Sequence, residues 1–294
     1  MEITPSVHAV RHRFTVPVAP DLALERFVYS YIIYGEMIIL IDTGVAGCEE
    51  QIFDDIRSTG RDPSDITLII LTHSHPDHIG AAHAIQQATN CSIAAHPSER
   101  AWIEDVWLQN RERPVPGFET LVGGSVLLDH ELVDGECIEV DELVAREIQV
   151  LHTLGHSEGS ISLFMHSDGI LFSGDAIPVK GDIPVYEDAL ASVQSVQRLR
   201  KLSGIKILLS AWDEPKCGRE AYLQMDRAAL WLQEIHEAVL ENAGTDSPDL
   251  MDLTKKTVAA IGLPPQAVNP RFARTIAANL RVRDHKNLLA DIPR

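Results

Sequence analysis

His73-Ser74-His75-Pro76-Asp77-His78 places four metal-ligating side chains within six residues, directly behind the apolar run Ile66-Thr67-Leu68-Ile69-Ile70-Leu71-Thr72. The run is aliphatic and β-branched and long enough to cross a sheet once, so it reads as a buried strand. The residues that follow, Ile79-Gly80-Ala81-Ala82-His83-Ala84-Ile85, read as a helix. The cluster therefore occupies a strand-to-helix turn at the carboxyl end of a strand, where open α/β architectures place their sites. In an extended segment residues i and i+2 point the same way, so His73 and His75 can grip one ion from one side. Asp77 and His78 come after the chain turns at Pro76 and can face a second ion across the same pocket. Neutral imidazole suits zinc, iron, copper or nickel, and the carboxylate adds hard-oxygen character. The competing reading, a solvated turn that happens to hold three histidines, is outweighed by the rest of the chain.

Three more stretches end apolar runs with chemistry-bearing residues. Asp42-Thr43-Gly44 closes the run Met37-Ile38-Ile39-Leu40-Ile41. Gly155-His156-Ser157 lies between the strand-like Ile148-Gln149-Val150-Leu151 and Ile161-Ser162-Leu163-Phe164, and Asp175 follows Gly169-Ile170-Leu171-Phe172-Ser173-Gly174. Taken singly these are a turn, a core histidine and a helix cap. Glycines at 155 and 159 let the backbone come close to a site, which favours a ligand role for His156.

Taken together, and in this order, the stretches resemble the metallo-β-lactamase-fold superfamily from about residue 28 to about residue 215. Tyr29 to Gly44 is similar to the family's opening hairpin with its Asp-Thr-Gly end, and His73 to His78 matches its His-x-His-x-Asp-His signature. Thr153 to Ser160 is similar to its third motif, and Ser173-Gly174-Asp175-Ala176 to its fourth. The resemblance implies an α/β fold, a four-layered αββα sandwich over residues 1–215, followed by a helical C-terminal extension over 216–294. It implies that His73, His75 and His156 hold a first ion and that Asp175 bridges it to a second held by Asp77 and His78. Asp42 is read as orienting ligands from behind. Zinc, as one or two ions, is the implied metal, with iron or a mixed pair as alternatives.

One departure stands out. The family's last strand ends in a histidine that completes the second metal position, but here the stretch is Ile207-Leu208-Leu209-Ser210-Ala211-Trp212-Asp213-Glu214-Pro215. Asp213 is the neighbouring residue able to substitute, and its plain reading is a turn residue before Pro215. The implied activity is hydrolysis by hydroxide, since bound zinc lowers the pKa of water from 15.7 to about 7. Asp77 is then the residue placed to orient the hydroxide and carry a proton to the leaving group. The closest branch in character is the glyoxalase II-like hydrolases, which makes a thioester or lactone ester the expected substrate class. The alternative is a mononuclear iron oxygenase acting on a thiol or persulfide, which the weakened second position suits.

Lys+Arg of 25 against Asp+Glu of 43 gives the 294-residue chain a net charge of −18. Such a chain repels phosphate backbones, so a small-molecule substrate is expected rather than a nucleic acid. Cysteines at 48, 91, 137 and 217 form no Cys-x-x-Cys pair, which argues against a zinc ribbon, a redox dithiol or a secreted disulfide framework. No signal-peptide pattern or membrane span is apparent, and the expected compartment is the cytoplasm.

Residues 97–125 read as one helix and an irregular loop, in which Trp102 and Trp107 either line an entrance or pack in the core. A helix is expected around Ala189–Leu202 and a long amphipathic one over Arg219–Glu241. A break follows at Gly244-Thr245-Asp246-Ser247-Pro248, then two shorter helices over 249–261 and 268–281. Composition leaves two roles open for this C-terminal part: covering the active site, or forming a homodimer contact. His83, His96, His130 and His236 carry no motif, and His152 is read as a supporting neighbour of His156.

Overall fold

In chain order the strands are β1 (Glu2–Thr4), β2 (Val7–Ala19), β3 (Leu22–Tyr34), β4 (Ile38–Ile41), β5 (Ile66–Ile70), β6 (Ser92–Ala95), β7 (His130–Glu131), β8 (Cys137–Asp141), β9 (Arg146–His152), β10 (Ile161–Met165), β11 (Ile170–Gly174), β12 (Ile207–Ser210) and β13 (Lys216–Cys217). They fall into two sheets that, with the helices, make the mixed α/β class expected from the sequence. The computed structural model describes residues 1–19, 22–141, 146–244 and 249–290. The chain divides into two compact units, one of residues 1–151 with 163–167, the other of residues 152–162 with 168–294.

In the first unit β1 to β7 lie in sequence order within one sheet. The long β2–β3 hairpin and β4 are antiparallel, whereas β4, β5, β6 and β7 run parallel. The change follows from the connections. Antiparallel neighbours need only tight turns, while parallel ones need crossovers, supplied here by the helix Glu49–Ser58 and by the helices between β5 and β6. The helix Glu49–Ser58 carries Glu49 and Glu50 in its first turn and Arg57 in its last, matching its dipole, and buries Ile52, Phe53 and Ile56. These side chains join Ile38 and Leu40 of β4 and Ile66 and Ile69 of β5 in one apolar core.

Two local readings need correction. The expected helix over 79–85 is interrupted: one helix spans Pro76–Ile79 and the next Ala82–Thr89. The backbone of Gly80 is diverted, its N–H donating to Gly44 O at 2.9 Å and its carbonyl accepting from Gly123 N at 2.9 Å. A Cβ on Gly80 would stand 2.2 Å from Leu121 O, so only glycine fits the crossing. The segment after residue 97 likewise holds separate helices, Arg100–Glu104 and Val106–Glu112, because Asp105 leaves helical geometry and its side chain caps the second one. Neither tryptophan there belongs to the core. Trp107 is 53% exposed, and the Trp102 indole donates to Glu112 Oε2 at 2.7 Å.

In the second unit β11 and β12 are parallel, and β13 closes antiparallel on β12. The crossover helix Ala189–Arg200 begins on an Asp188 cap and buries Val193, Val196 and Leu199. The long helix is observed over Arg219–Ala243 and the shorter ones over Leu250–Ala260 and Pro270–Arg281. Asp249 and Asn269 cap the last two. Trp231, Ile235, Val239, Leu253, Val258, Phe272 and Ile276 give these helices a core of their own. Of the expected break, residues 245–248 lie outside the described residues.

Candidate metal centre

The two units use one construction. Parallel strands that end side by side place the residues after them within bonding distance. In the first unit Ile41 pairs with Ile70, so Asp42 follows β4 beside Thr72. Asp42 takes φ 56°, a left-handed conformation that aspartate tolerates better than most residues. Its Oδ1 accepts from Thr72 N at 2.8 Å, and its Oδ2 accepts from Thr72 Oγ1 at 2.8 Å. His78 Nδ1 lies 2.8 Å from the same Oδ2. Thr72 Oγ1, its proton committed to Asp42, is the acceptor for His73 Nδ1 at 3.0 Å. Partner chemistry therefore assigns the Nδ1–H tautomer to His73 and His78 and leaves Nε2 of each as the lone-pair nitrogen.

His73 Nε2 and His75 Nδ1 are 2.9 Å apart, both rings buried and near perpendicular at 81°. Asp77 Oδ2 lies 3.5 Å from His78 Nε2. The turn is held from behind by residues that no sequence motif marks. The buried Glu99 carboxylate accepts from both Ser74 N and Ser74 Oγ, and Gln109 Nε2 donates to Ser74 O at 2.5 Å. Every polar group of the residue between His73 and His75 is thus tied down. Glu99 stands 25 positions from Ser74 and Gln109 stands 35, so only the fold brings them there.

His12 is a further contributor without a sequence signal. It packs under Gly44, where a Cβ would come 2.6 Å from its ring, and Gly44 itself has φ 72°. Its Nε2 contacts Ser30 Oγ at 2.7 Å and its Nδ1 contacts Gln51 Oε1 at 3.2 Å. Burial pushes its pKa down to about 4, against the partial support of Gln51, so it is neutral at ordinary pH.

In the second unit Gly174 pairs with Ser210, and Ala211 N donates to Gly174 O at 3.2 Å, so Asp175 follows β11 beside Trp212. The Trp212 indole donates to Asp175 Oδ2 at 3.0 Å. His156 Nε2 lies 3.4 Å from the same oxygen, and its Nδ1 donates to Val185 O at 2.6 Å. The segment carrying Val185 is anchored by the last helix: Thr275 Oγ1 donates to Pro184 O at 3.2 Å and accepts from Tyr186 N at 3.2 Å. Asn279 Nδ2 donates to Tyr186 Oη at 2.9 Å. The C-terminal extension therefore braces the backbone that orients His156. Gly155 makes room, since a Cβ there would meet Ser192 N at 2.4 Å.

Of the two readings of Asp213, the geometry favours the turn residue, and His152 supports the loop beside it in sequence. Asp213 is turned to Lys216 Nζ at 2.9 Å and to Glu214 N at 2.8 Å. His152 bonds the carbonyl of Glu158 at 2.9 Å and so ties down the loop that carries His156. Imidazole Nε2 atoms held by Nδ1–H bonds, together with a carboxylate, are a donor set that zinc and iron accept, and the bonds behind them are the usual means of fixing such ligands.

The family model of the metallo-beta-lactamase superfamily matches residues 23–212. A probable metallo-hydrolase of Methanocaldococcus jannaschii is 29% identical over 178 residues, 59% of this chain and 80% of that protein. A hydroxyacylglutathione hydrolase of Mesorhizobium japonicum is 26% identical over 196 residues, 66% of this chain and 63% of that protein. Among solved structures, a metallo-beta-lactamase family protein of Thermus thermophilus superposes with a TM-score of 0.68 at 20% identity, covering 96% of this chain and 95% of the other.

Proposed function

Since the chain belongs to the metallo-β-lactamase superfamily, we propose that it is a metal-dependent hydrolase that cleaves an ester-type bond, thioester or lactone, in a small molecule. The observation that carries this reading is the shared orientation of three imidazoles. His73, His78 and His156 each place Nδ1 on a protein oxygen, which leaves Nε2 for an ion. His73, His75, His156 and Asp175 are the residues assigned to hold it, with Asp77 and His78 at the second position. A divalent ion there, zinc in preference to iron, supplies Lewis acidity and hydroxide at neutral pH. Asp77 is assigned to orient the attacking water and to carry its proton to the leaving group. Its side chain is 17% exposed while that of His78 is fully buried, so Asp77 is the acid that a substrate can reach. The thioester preference draws on the hydroxyacylglutathione hydrolases among the relatives.

A second reading, a mononuclear iron oxygenase acting on a thiol or persulfide, is favoured by one observation: Trp212 stands where a further ligand is expected. Elemental analysis of the purified chain, followed by a screen against thioesters, lactones, β-lactams and phosphodiesters, separates the two. Zinc-supported thioester or lactone cleavage, with Asp175→Asn losing most of the metal, is the expected result. One iron per chain with oxygen uptake and no ester cleavage overturns the hydrolase.

A further inference from the structure

The C-terminal helices enclose a histidine that no motif marks. His236 lies on the helix Arg219–Ala243, fully buried, and each of its ring nitrogens faces an oxygen. Nε2 stands 2.7 Å from His285 O, a carbonyl that only accepts, so Nε2 carries a hydrogen. Nδ1 stands 3.0 Å from Asn279 Oδ1. The Asn279 amide is oriented by another carbonyl: its Nδ2 donates to Thr275 O at 2.8 Å, and also to Tyr186 Oη at 2.9 Å. Turning the amide over would set Oδ1 against Thr275 O at that distance, two acceptors with no hydrogen between them. Oδ1 therefore faces His236, and the hydrogen between them has to come from Nδ1.

We propose that His236 is a buried imidazolium, with a hydrogen on each ring nitrogen, and that through Asn279 it is a positioning residue for His156. A buried charge is costly unless its hydrogen bonds are made. Here both are made to oxygen, and they are of the stronger, charge-assisted kind. Asn279 also stands in the last turn of the helix Pro270–Arg281, where the negative end of the dipole favours a cation. The ionisable neighbours leave that charge in place. Burial pushes the Tyr186 phenol up, against the Asn279 bond, so it stays neutral, and Glu237 is bonded to Gln233. His285 and Lys286 turn backbone carbonyls to this helix, and Arg283 and Asp284 are exposed. The consequence runs toward His156. Asn279 holds Tyr186 by its Oη, Thr275 holds Tyr186 by its N–H, and the adjoining Val185 O takes the His156 Nδ1 hydrogen. Every member of this chain of bonds belongs to the second unit. A neutral His236 would oppose Asn279 Oδ1 with a lone pair and loosen the segment that orients His156.

That His156 is a ligand rests on the metal-centre reading above; the hydrogens on His236 do not. The test reads histidine ring nitrogens in proton–nitrogen correlation spectra of the full-length, metal-free chain. The pH is about 8, where an ordinary imidazole is neutral. His236→Phe and His156→Ala identify the two residues' signals by their loss. Both nitrogens of His236 are expected to bear hydrogen, and one bare nitrogen overturns the imidazolium. In His236→Phe the Nδ1–H of His156 is expected to exchange with solvent roughly tenfold faster, the protection of about one hydrogen bond. In Val239→Ala, a cavity in the same helical core but outside this chain of bonds, that exchange is expected to stay unchanged. Asn279→Asp is the second variant: it keeps an oxygen for His236 Nδ1 but removes the donor to Tyr186, so His156 should lose the same protection. Unchanged exchange in these two polar variants, or an equal rise in Val239→Ala, overturns the positioning role. A chain that binds no zinc would overturn the metal-centre reading and leave these results standing.

Discussion

The paired ends of β4 and β5 and the paired ends of β11 and β12 are built alike and finished differently. In each, parallel strands end side by side and an aspartate on one meets a hydrogen-bond donor on the other: Asp42 with Thr72, Asp175 with Trp212. Asp42 is saturated by protein, receiving Thr72 through both oxygens and His78 through one of them, and sits in a left-handed conformation. It is built to hold Thr72 and His78. Asp175 keeps an oxygen facing His156 and carries the Trp212 indole on it. The same device thus yields a carboxylate closed off by protein in one unit and a carboxylate that faces a histidine in the other, and the difference lies in what the neighbouring strand offers.

The supports also differ in kind. His73, Ser74 and His78 are held mainly by side chains of their own unit, Thr72, Glu99, Gln109 and Asp42. His156 is held by a backbone carbonyl, whose segment depends in turn on Thr275 and Asn279 of the last helix. Damage to the first turn should therefore act through lost side-chain bonds. Damage to the second should be transmitted from the C-terminal helices.

The sharpest way to break the comparison is Asp42→Ala. It leaves Thr72 N–H and His78 Nδ1 buried without their acceptor, at a cost of about 4 kcal/mol from two bonds to a charged group. Metal affinity should fall roughly 10–100-fold through loss of the support behind His78. Denaturant titration and metal competition check both, and unchanged affinity would show that Asp42 does not orient the ligands.

Next in size is the pH dependence carried by His12. Its folded-state pKa, about 4, lies below the ordinary value of 6.5, so between these two the unfolded chain binds a proton that the folded chain refuses. Stability is therefore lost as pH falls from 6.5 toward 4, by about 3 kcal/mol in all, and is fully present above 6.5. Unfolding midpoints of wild type and His12→Gln, compared at about pH 7 and about pH 4.5, should show a smaller acid loss in the variant. Equal losses would place the acid sensitivity elsewhere.

The smallest expected effect is that of Asp213→Ala. Its bond to Lys216 is partly exposed, so stability should change by roughly 0.5 kcal/mol and zinc stoichiometry not at all. A drop in bound zinc would return Asp213 to the ligand set.

Much of this candidate site is legible in one dimension because its histidines and aspartates cluster. His73 to His78 are near one another in sequence, and a turn after an apolar strand is a local event that hydrophobic patterning reveals. Asp42, His156 and Asp175 obey the same rule, each following an apolar run. The helix expected over 79–85 is interrupted because Gly80 breaks it through a backbone crossing with Gly44 and Gly123, which no local propensity records. Glu99, Gln109 and His12 were invisible for a related reason. Their roles depend on partners 25, 35 and 18 or more positions away, brought close only by the crossover helices and the long β2–β3 hairpin.

By itself, then, the sequence determined the family, the α/β class and the turns that carry the clustered histidines and aspartates, because strand patterning and adjacent residues are written in nearest neighbours. It also showed that position 212 departs from the family pattern. Only the tertiary structure decided what that departure does. Whether a tryptophan is a mere gap or an active donor depends on the register of two parallel strands, which carries the indole N–H to the oxygen of Asp175 across 37 residues of chain.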